Sequence, residues 1–382
     1  MRICHITPHL PPDQAANALL PFHLGRWSTD SGDEAVFAAH PPASKTHQQL
    51  PGPVEWVPRR DRSDVPWIVR KARGAQQALE IVRRVDPIVK NVDIVHLHSN
   101  GLLMEVGARL AHRHHKPTVL TLYGTEIWHY ERRHPIDLFT RAYHEAAAVT
   151  FYSDRLRAQA QKFGLHHRDT HVIYPPVAKA FSWSDDRTRR VARETLGLNA
   201  EHVLLNVKRL HPLAGQRYAI DAMPPIIDAH PNVQLLICGT GSLQPQLEAH
   251  VQARGLGPHV RFMGCIDNDA LGTYYAAADA FLLPSLLEAG PTVALEALAC
   301  GTPVISSDNP GGLELKARFG RDVDIVPVED AAALAKAVVV FLNNKRRTDT
   351  ATRDLIEEEL RPQTVCGRFQ DIYVRLANDV ER

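Results

Sequence analysis

Glu288 and Glu296 are the residues of this 382-residue chain best spaced for chemistry. An apolar run ends in Pro284-Ser285-Leu286-Leu287, Glu288 follows in a loop, and Pro291 then opens a helix that carries Glu296. Proline fits the first helical position, because the N–H it lacks would be unpaired there anyway. An ionised carboxylate accepts several hydrogen bonds, so two of them can hold a diol. The helix end offers free N–H groups to an anion, here those of Thr292 and Val293. Hydroxyls beside an anion describe a sugar carried on a nucleoside diphosphate.

Other residue patterns stand beside this pair. A second apolar run, 203–207, ends at Lys208-Arg209-Leu210-His211-Pro212, which sets a cation at a strand end. Strand alternation puts Lys208 on the face opposite Arg209. Gly239-Thr240-Gly241 follows an apolar run and precedes a helical pattern. Such glycines permit close backbone approach, either to a ligand or within a tight strand–helix connection. His96 and His98 share one strand face at a spacing of two. No third ligand is evident beside them, so no metal is assigned.

The elements that must position these groups alternate regularly. Apolar runs predict strands over 2–6, 34–38, 93–98, 118–122, 147–151 and 171–173 in the first half. In the second half they predict strands over 203–207, 233–238, 260–263, 280–283, 302–306 and 324–326. Helical patterns lie between, at 65–85, 102–114, 137–146, 215–229, 242–253, 270–277 and 331–342, with a last one at 363–377. Strand–helix–strand alternation means α/β parallel sheets covered on both faces, with ligands at the carboxyl ends of the strands. The length suits two domains. Pro175-Pro176 and the polar stretch after it mark the division.

The segment from Glu288 to Glu296 resembles the paired-glutamate motif of the family-four retaining glycosyltransferases with the GT-B fold. The likeness continues through Ala299-Cys300-Gly301-Thr302-Pro303-Val304-Ile305 and Asp308-Asn309-Pro310-Gly311-Gly312. The resemblance implies two Rossmann-like domains whose parallel sheets face a central cleft. Residues 1–177 would bind the acceptor, 178–195 would form a hinge, and 196–362 would bind the nucleotide sugar. The final helix, 363–382, would pack back on the first domain.

By the same resemblance Arg209 binds the donor diphosphate, Glu288 the donor sugar and Glu296 the ribose. Gly239 and Gly241 lie near the nucleotide, and the backbone of Gly264 and Cys265 meets the base. Gly290, Thr292 and Val293 complete the donor loop. The family's second phosphate-binding cation, a lysine, is Ala214 here, with Lys208 and Arg217 as candidate substitutes. Acceptor binding falls to Asp13, Gln14, Asn17, His98, Asn100, Tyr123 and Glu126. Tyr123 replaces a family histidine and joins Arg209 and Glu288 as a catalytic group. The implied reaction is hexosyl transfer with retention to a hydroxyl of a small-molecule, glycolipid or saccharide acceptor, in which the leaving phosphate helps deprotonate that hydroxyl. It needs no cofactor beyond the nucleoside-diphosphate sugar and no metal. Two other readings share these residues: a non-catalytic nucleotide-sugar-binding or regulatory protein, and a nucleotide-sugar epimerase.

Composition limits the partners. The net charge is +1, which argues against a nucleic-acid-binding face. The opening residues Met1-Arg2-Ile3-Cys4-His5-Ile6 read as a strand and not as the apolar core of a signal peptide, and no run is long enough to span a bilayer. Five scattered cysteines read as free thiols in a reducing cytoplasm. The basic stretch 59–90, which holds Trp67 and Ile68, reads first as a solvated helix face and second as a peripheral membrane contact.

Overall fold

The computed structural model describes residues 1–13, 15–42, 49–60, 65–132 and 137–380. The chain forms two compact units. One comprises Met1–Pro175 with the chain from Pro362 onward, and the other comprises Pro176–Arg361.

The first unit is built on seven strands: β1 Arg2–Thr7, β2 Glu34–Ala39, β3 Val54–Trp56, β4 Ile94–His98, β5 Thr118–Leu122, β6 Ala148–Phe151 and β7 Thr170–Val172. They form one sheet in the order β3-β2-β1-β4-β5-β6-β7, and every pairing is parallel. Strands β4, β5 and β6 are buried along their whole length, as a sheet covered on both faces requires. All twelve strands expected from the apolar runs are present, within two residues at each end. Strand β3 escaped the sequence reading because it is three residues long and only half-buried, so it carries no apolar run.

The helix Pro362–Val380 packs on this first unit. Val365, Phe369, Ile372, Tyr373 and Leu376 recur at helical spacing and join Ile3, Leu20, Ile94 and Val119 in one core.

The second unit has six strands: β8 His202–Val207, β9 Val233–Cys238, β10 Val260–Gly264, β11 Ala280–Leu283, β12 Val304–Ser307 and β13 Val323–Val326. Their order is β10-β9-β8-β11-β12-β13, again all parallel. Both sheets therefore reverse their winding once, between β1 and β4 and between β8 and β11. The loops leaving those strands diverge at such a point and open a crevice for ligands.

The polar stretch read as a hinge instead holds a helix, Asp186–Thr195, within the second unit. The Asp185 carboxylate caps it by accepting from the Thr188 N–H at 2.7 Å. Only Ala192 of this helix is buried. The helix is held instead by Arg189 and Arg193, which both pair with Asp279, and Asp279 also accepts from the Val203 N–H. A helix anchored by charge shows no apolar stripe in sequence. Where the chain enters and leaves this unit it is clasped: the buried Arg361 guanidinium donates to the carbonyls of Val177, Ala178 and Phe181. Among the described residues no helix is long and apolar enough to cross a membrane.

Candidate functional site

In the second unit the loops at the carboxyl ends of β8, β9, β10, β11 and β12 are stitched together backbone to backbone. The Gly239 N–H donates to the Gly264 carbonyl at 2.6 Å. The Leu286 N–H donates to the Leu213 carbonyl, and the Gly311 N–H to the backbone carbonyl of Glu288, each at 2.9 Å. The Asn309 amide donates to the Ser285 carbonyl at 2.7 Å and its oxygen caps the helix Pro310–Phe319. Gly239, at φ 129°, has no room for a side chain, because a Cβ would strike the Lys208 carbonyl. Gly241 lies equally close to the Leu210 carbonyl. Both glycines are thus required by loop-to-loop packing. Gly264, also at positive φ, faces open space, and Cys265 is exposed beside it.

These loops carry the charged groups. Glu288, on the loop after β11, receives the Lys208 ammonium at 2.5 Å from the loop after β8. Strand alternation had set Lys208 on the opposite face from Arg209. Strand β8 ends at Val207, and Lys208 opens the loop that follows it. Arg209 is exposed and makes no ion pair among the described residues. Ala214 is buried and leaves no cation at its position. Arg217, the other candidate substitute, lies along its helix against Asp221 at 3.5 Å.

Pro291 caps the helix Thr292–Ala299 and is not its first residue. The free N–H groups of Thr292 and Val293 follow it, next to Gly290 in the loop. Glu296 lies within this helix, buried, and its Oε2 accepts from the Tyr275 hydroxyl at 2.8 Å. Burial pushes the Glu296 carboxyl up to about 7, against the lowering effect of that hydrogen bond. Tyr275 was missed by sequence reasoning; it sits on the helix Asn268–Ala277, and nothing local marks it as a partner for Glu296.

In the first unit the corresponding loops follow β1, β4 and β5. Asp13 pairs with His9 at 2.8 Å. The Asn17 carbonyl accepts from the Thr7 hydroxyl. Gln14 lies outside the described residues. Asn100 is exposed just after β4. Glu126 is buried, and its Oε2 accepts from the N–H groups of Tyr123 and Gly124 at 3.2 and 2.7 Å. Its Oε1 is buried without a hydrogen-bond partner.

Behind Tyr123 runs a buried polar chain. The Tyr123 hydroxyl meets His98 Nδ1 at 2.7 Å, and His98 Nε2 meets His5 Nδ1 at 3.1 Å. His96 bonds the Tyr373 hydroxyl and Thr121 Oγ1, each at 2.6 Å. The sequence reading found no third ligand for the pair His96 and His98. The register of β1 on β4, with His5 opposite His96, supplies one. The three rings bring nitrogens within 4.8 Å of one another. Hydrogen bonds engage every ring nitrogen of the three except His5 Nε2, so an ion would have to displace them. Burial pushes His5 down to about 3 and His96 and His98 well below their ordinary value, which keeps all three neutral. Burial also holds the Tyr123 phenol well above its ordinary value, so near neutral pH it is a hydrogen-bonding group and not a base.

Two family models match the chain. The one described as Glycosyl transferases group 1 matches residues 189–358, and the one described as Glycosyltransferase Family 4 matches residues 22–180. The chain belongs to glycosyltransferase family 4. Its family 4 character extends to curated relatives. An uncharacterised glycosyltransferase of Methanocaldococcus jannaschii is 29% identical over 240 residues, covering 59% of this chain and 60% of its own length. A phosphatidyl-myo-inositol mannosyltransferase of Mycobacterium leprae is 38% identical over 137 residues, 35% of each chain. A D-inositol 3-phosphate glycosyltransferase of Jonesia denitrificans is 36% identical over 167 residues, 41% of this chain and 39% of its own. The family 4 chain thus spans between 35 and 60% of the length of these relatives. The GT-B fold is shared with solved structures. A sucrose-phosphate synthase of Thermosynechococcus elongatus superposes with a TM-score of 0.79 at 20% identity, over 98% of this chain and 99% of the other. The Anabaena protein HepE, in complex with UDP and glucose, gives 0.80 at 19% identity over 98% and 100%.

Proposed function

We propose that this protein is a retaining glycosyltransferase that moves a hexosyl group from a nucleoside-diphosphate sugar to an acceptor hydroxyl. The observation that carries this reading is the point where the second sheet reverses. There a lysine, an exposed arginine and a carboxylate leave the carboxyl ends of β8 and β11, ahead of the helix that begins at Thr292. In this reading Arg209 and the Thr292 and Val293 N–H groups stabilise the leaving diphosphate as its charge grows. Glu288 accepts hydrogen bonds from the donor sugar, and Glu296 from the ribose. Backbone at Gly264 and Cys265 meets the base, while Gly239 and Gly241 shape the adjoining turns.

The first unit supplies the acceptor site, from Asp13, Gln14, Asn17, Asn100, Glu126 and the Tyr123 hydroxyl that His98 orients. With Tyr123 held as a neutral phenol, the departing phosphate oxygen takes the acceptor proton. Relatives named for D-inositol 3-phosphate and for phosphatidyl-myo-inositol support a hydroxyl acceptor, free or on a lipid. The exposed start of the helix Trp67–Lys90 supports a peripheral membrane contact.

A thermal-shift screen of UDP-, GDP-, ADP- and dTDP-sugars tests the donor reading. One sugar nucleotide should raise the melting temperature, and turnover with an acceptor panel should follow, with the anomeric configuration kept. Glu288→Ala should lower turnover at least about a hundredfold, the loss of a group that acts on the transition state. Tight donor binding without any turnover would instead mark a non-catalytic binder, and donor conversion without acceptor an epimerase.

A further inference from the structure

The diphosphate of a donor carries more charge than Arg209 alone balances, and Ala214 leaves the neighbouring position without a cation. We propose that Lys208 is the second diphosphate-binding cation of this chain, and that Glu288 holds it until a donor arrives. The proposal rests on the donor-site reading given above and assigns a residue that reading leaves open.

Four observations lead to Lys208. Its ammonium lies 2.5 Å from Glu288 Oε1, so it already reaches the carboxylate assigned to the donor sugar. Its backbone is fixed, because its N–H donates to the Cys238 carbonyl at 3.0 Å and Gly239 packs on its own carbonyl. Its side chain is partly open to solvent: 27% of it is exposed, against 10% for Glu288. Arg217, the other candidate, lies along its own helix beside Asp221 and makes no ion pair with Glu288 among the described residues.

A lysine ammonium on a four-carbon stem can pivot about a fixed backbone, with three donors to spend on a new partner. A diphosphate offers it more acceptor oxygens and more charge than one carboxylate does. Transfer of Lys208 from Glu288 to the diphosphate does two things at once. It neutralises the leaving group, and it frees Glu288 to accept from the sugar hydroxyls. The ion pair of the ligand-free protein is therefore a latch on the donor carboxylate, opened by the diphosphate.

The latch makes opposite predictions for its two halves. Calorimetry with UDP, GDP, ADP and dTDP, each beside its monophosphate, reads them. K208M should weaken the diphosphate that the wild type prefers by about tenfold or more, the scale of one charge-assisted hydrogen bond. It should change monophosphate binding less than threefold, and K208R should recover most of the loss. E288Q should strengthen the same sugar-free diphosphate severalfold, because Lys208 no longer has a competing carboxylate, while abolishing transfer. A simple scaffold role for the pair predicts weakening in both variants. Equal losses for mono- and diphosphate in both K208M and K208R, or weaker diphosphate binding in E288Q, would overturn the assignment. A wild-type chain that bound none of the four diphosphates would overturn the donor-site reading itself.

Discussion

Tyr275 and Glu296 show how much one hydroxyl can decide. A carboxyl buried in a helix is pushed up to about 7, and the Tyr275 hydroxyl is the group that opposes the shift. In the ionised form Glu296 accepts from a ribose diol with both oxygens, and in the protonated form one oxygen becomes a donor. Donor affinity should therefore improve as pH rises through about 7, where Glu296 loses its proton. Tyr275→Phe removes the opposing hydrogen bond, so the midpoint of the donor KM against pH should move upward, with kcat at high pH little changed. A profile that kept its midpoint in Tyr275→Phe would place the titration elsewhere. Lys208 belongs to the same scale. Its partner Glu288 stands on a different loop, so local strand alternation says nothing about their meeting.

Strands β1 and β4 lay His5 beside His96 and His98, and the helix Pro362–Val380 adds Tyr373 to the set. Each imidazole is neutral inside the fold and would be free to bind a proton in the unfolded chain, near pH 6.5. The folded state thus binds fewer protons, and by linkage its stability rises with pH. Their contribution is complete above about pH 6.5 and is lost as pH falls from there toward the folded values, which for His5 is about 3. Each histidine adds roughly 1.4 kcal/mol per pH unit across that window. Denaturant titrations should show stability dropping steeply from pH 6.5 to 5, and His5→Gln should flatten that slope. An unchanged slope would mean that the cluster does not couple to folding. The element-scale lesson is register. His5 is visible in sequence as a histidine inside an apolar strand, but which residue it faces depends on how β1 lines up with β4.

At the scale of the whole molecule, the start of the helix Trp67–Lys90 departs from an ordinary solvated face. In the helix Trp67–Lys90 no residue before Gln77 is buried, while Trp67 is 59% and Ile68 64% exposed beside Arg70, Lys71 and Arg73. Aromatic and aliphatic tips among cations suit the boundary of an anionic bilayer. The protein should co-sediment with vesicles containing anionic lipid and release as salt is raised. Replacing Trp67 and Ile68 together by alanine should weaken binding by about tenfold or more. No recovery with anionic vesicles, or recovery unchanged by the double substitution, would assign this helix to solvent. The strand–helix alternation, the two parallel sheets and the glutamate-bearing loop before Thr292 were all legible in the sequence, because periodicity and local spacing encode them. The tertiary structure alone decided that Lys208 meets Glu288, that Tyr275 meets Glu296 and that three histidines from two strands share one core. Those contacts join residues distant along the chain, and only strand order and register bring them within hydrogen-bonding reach.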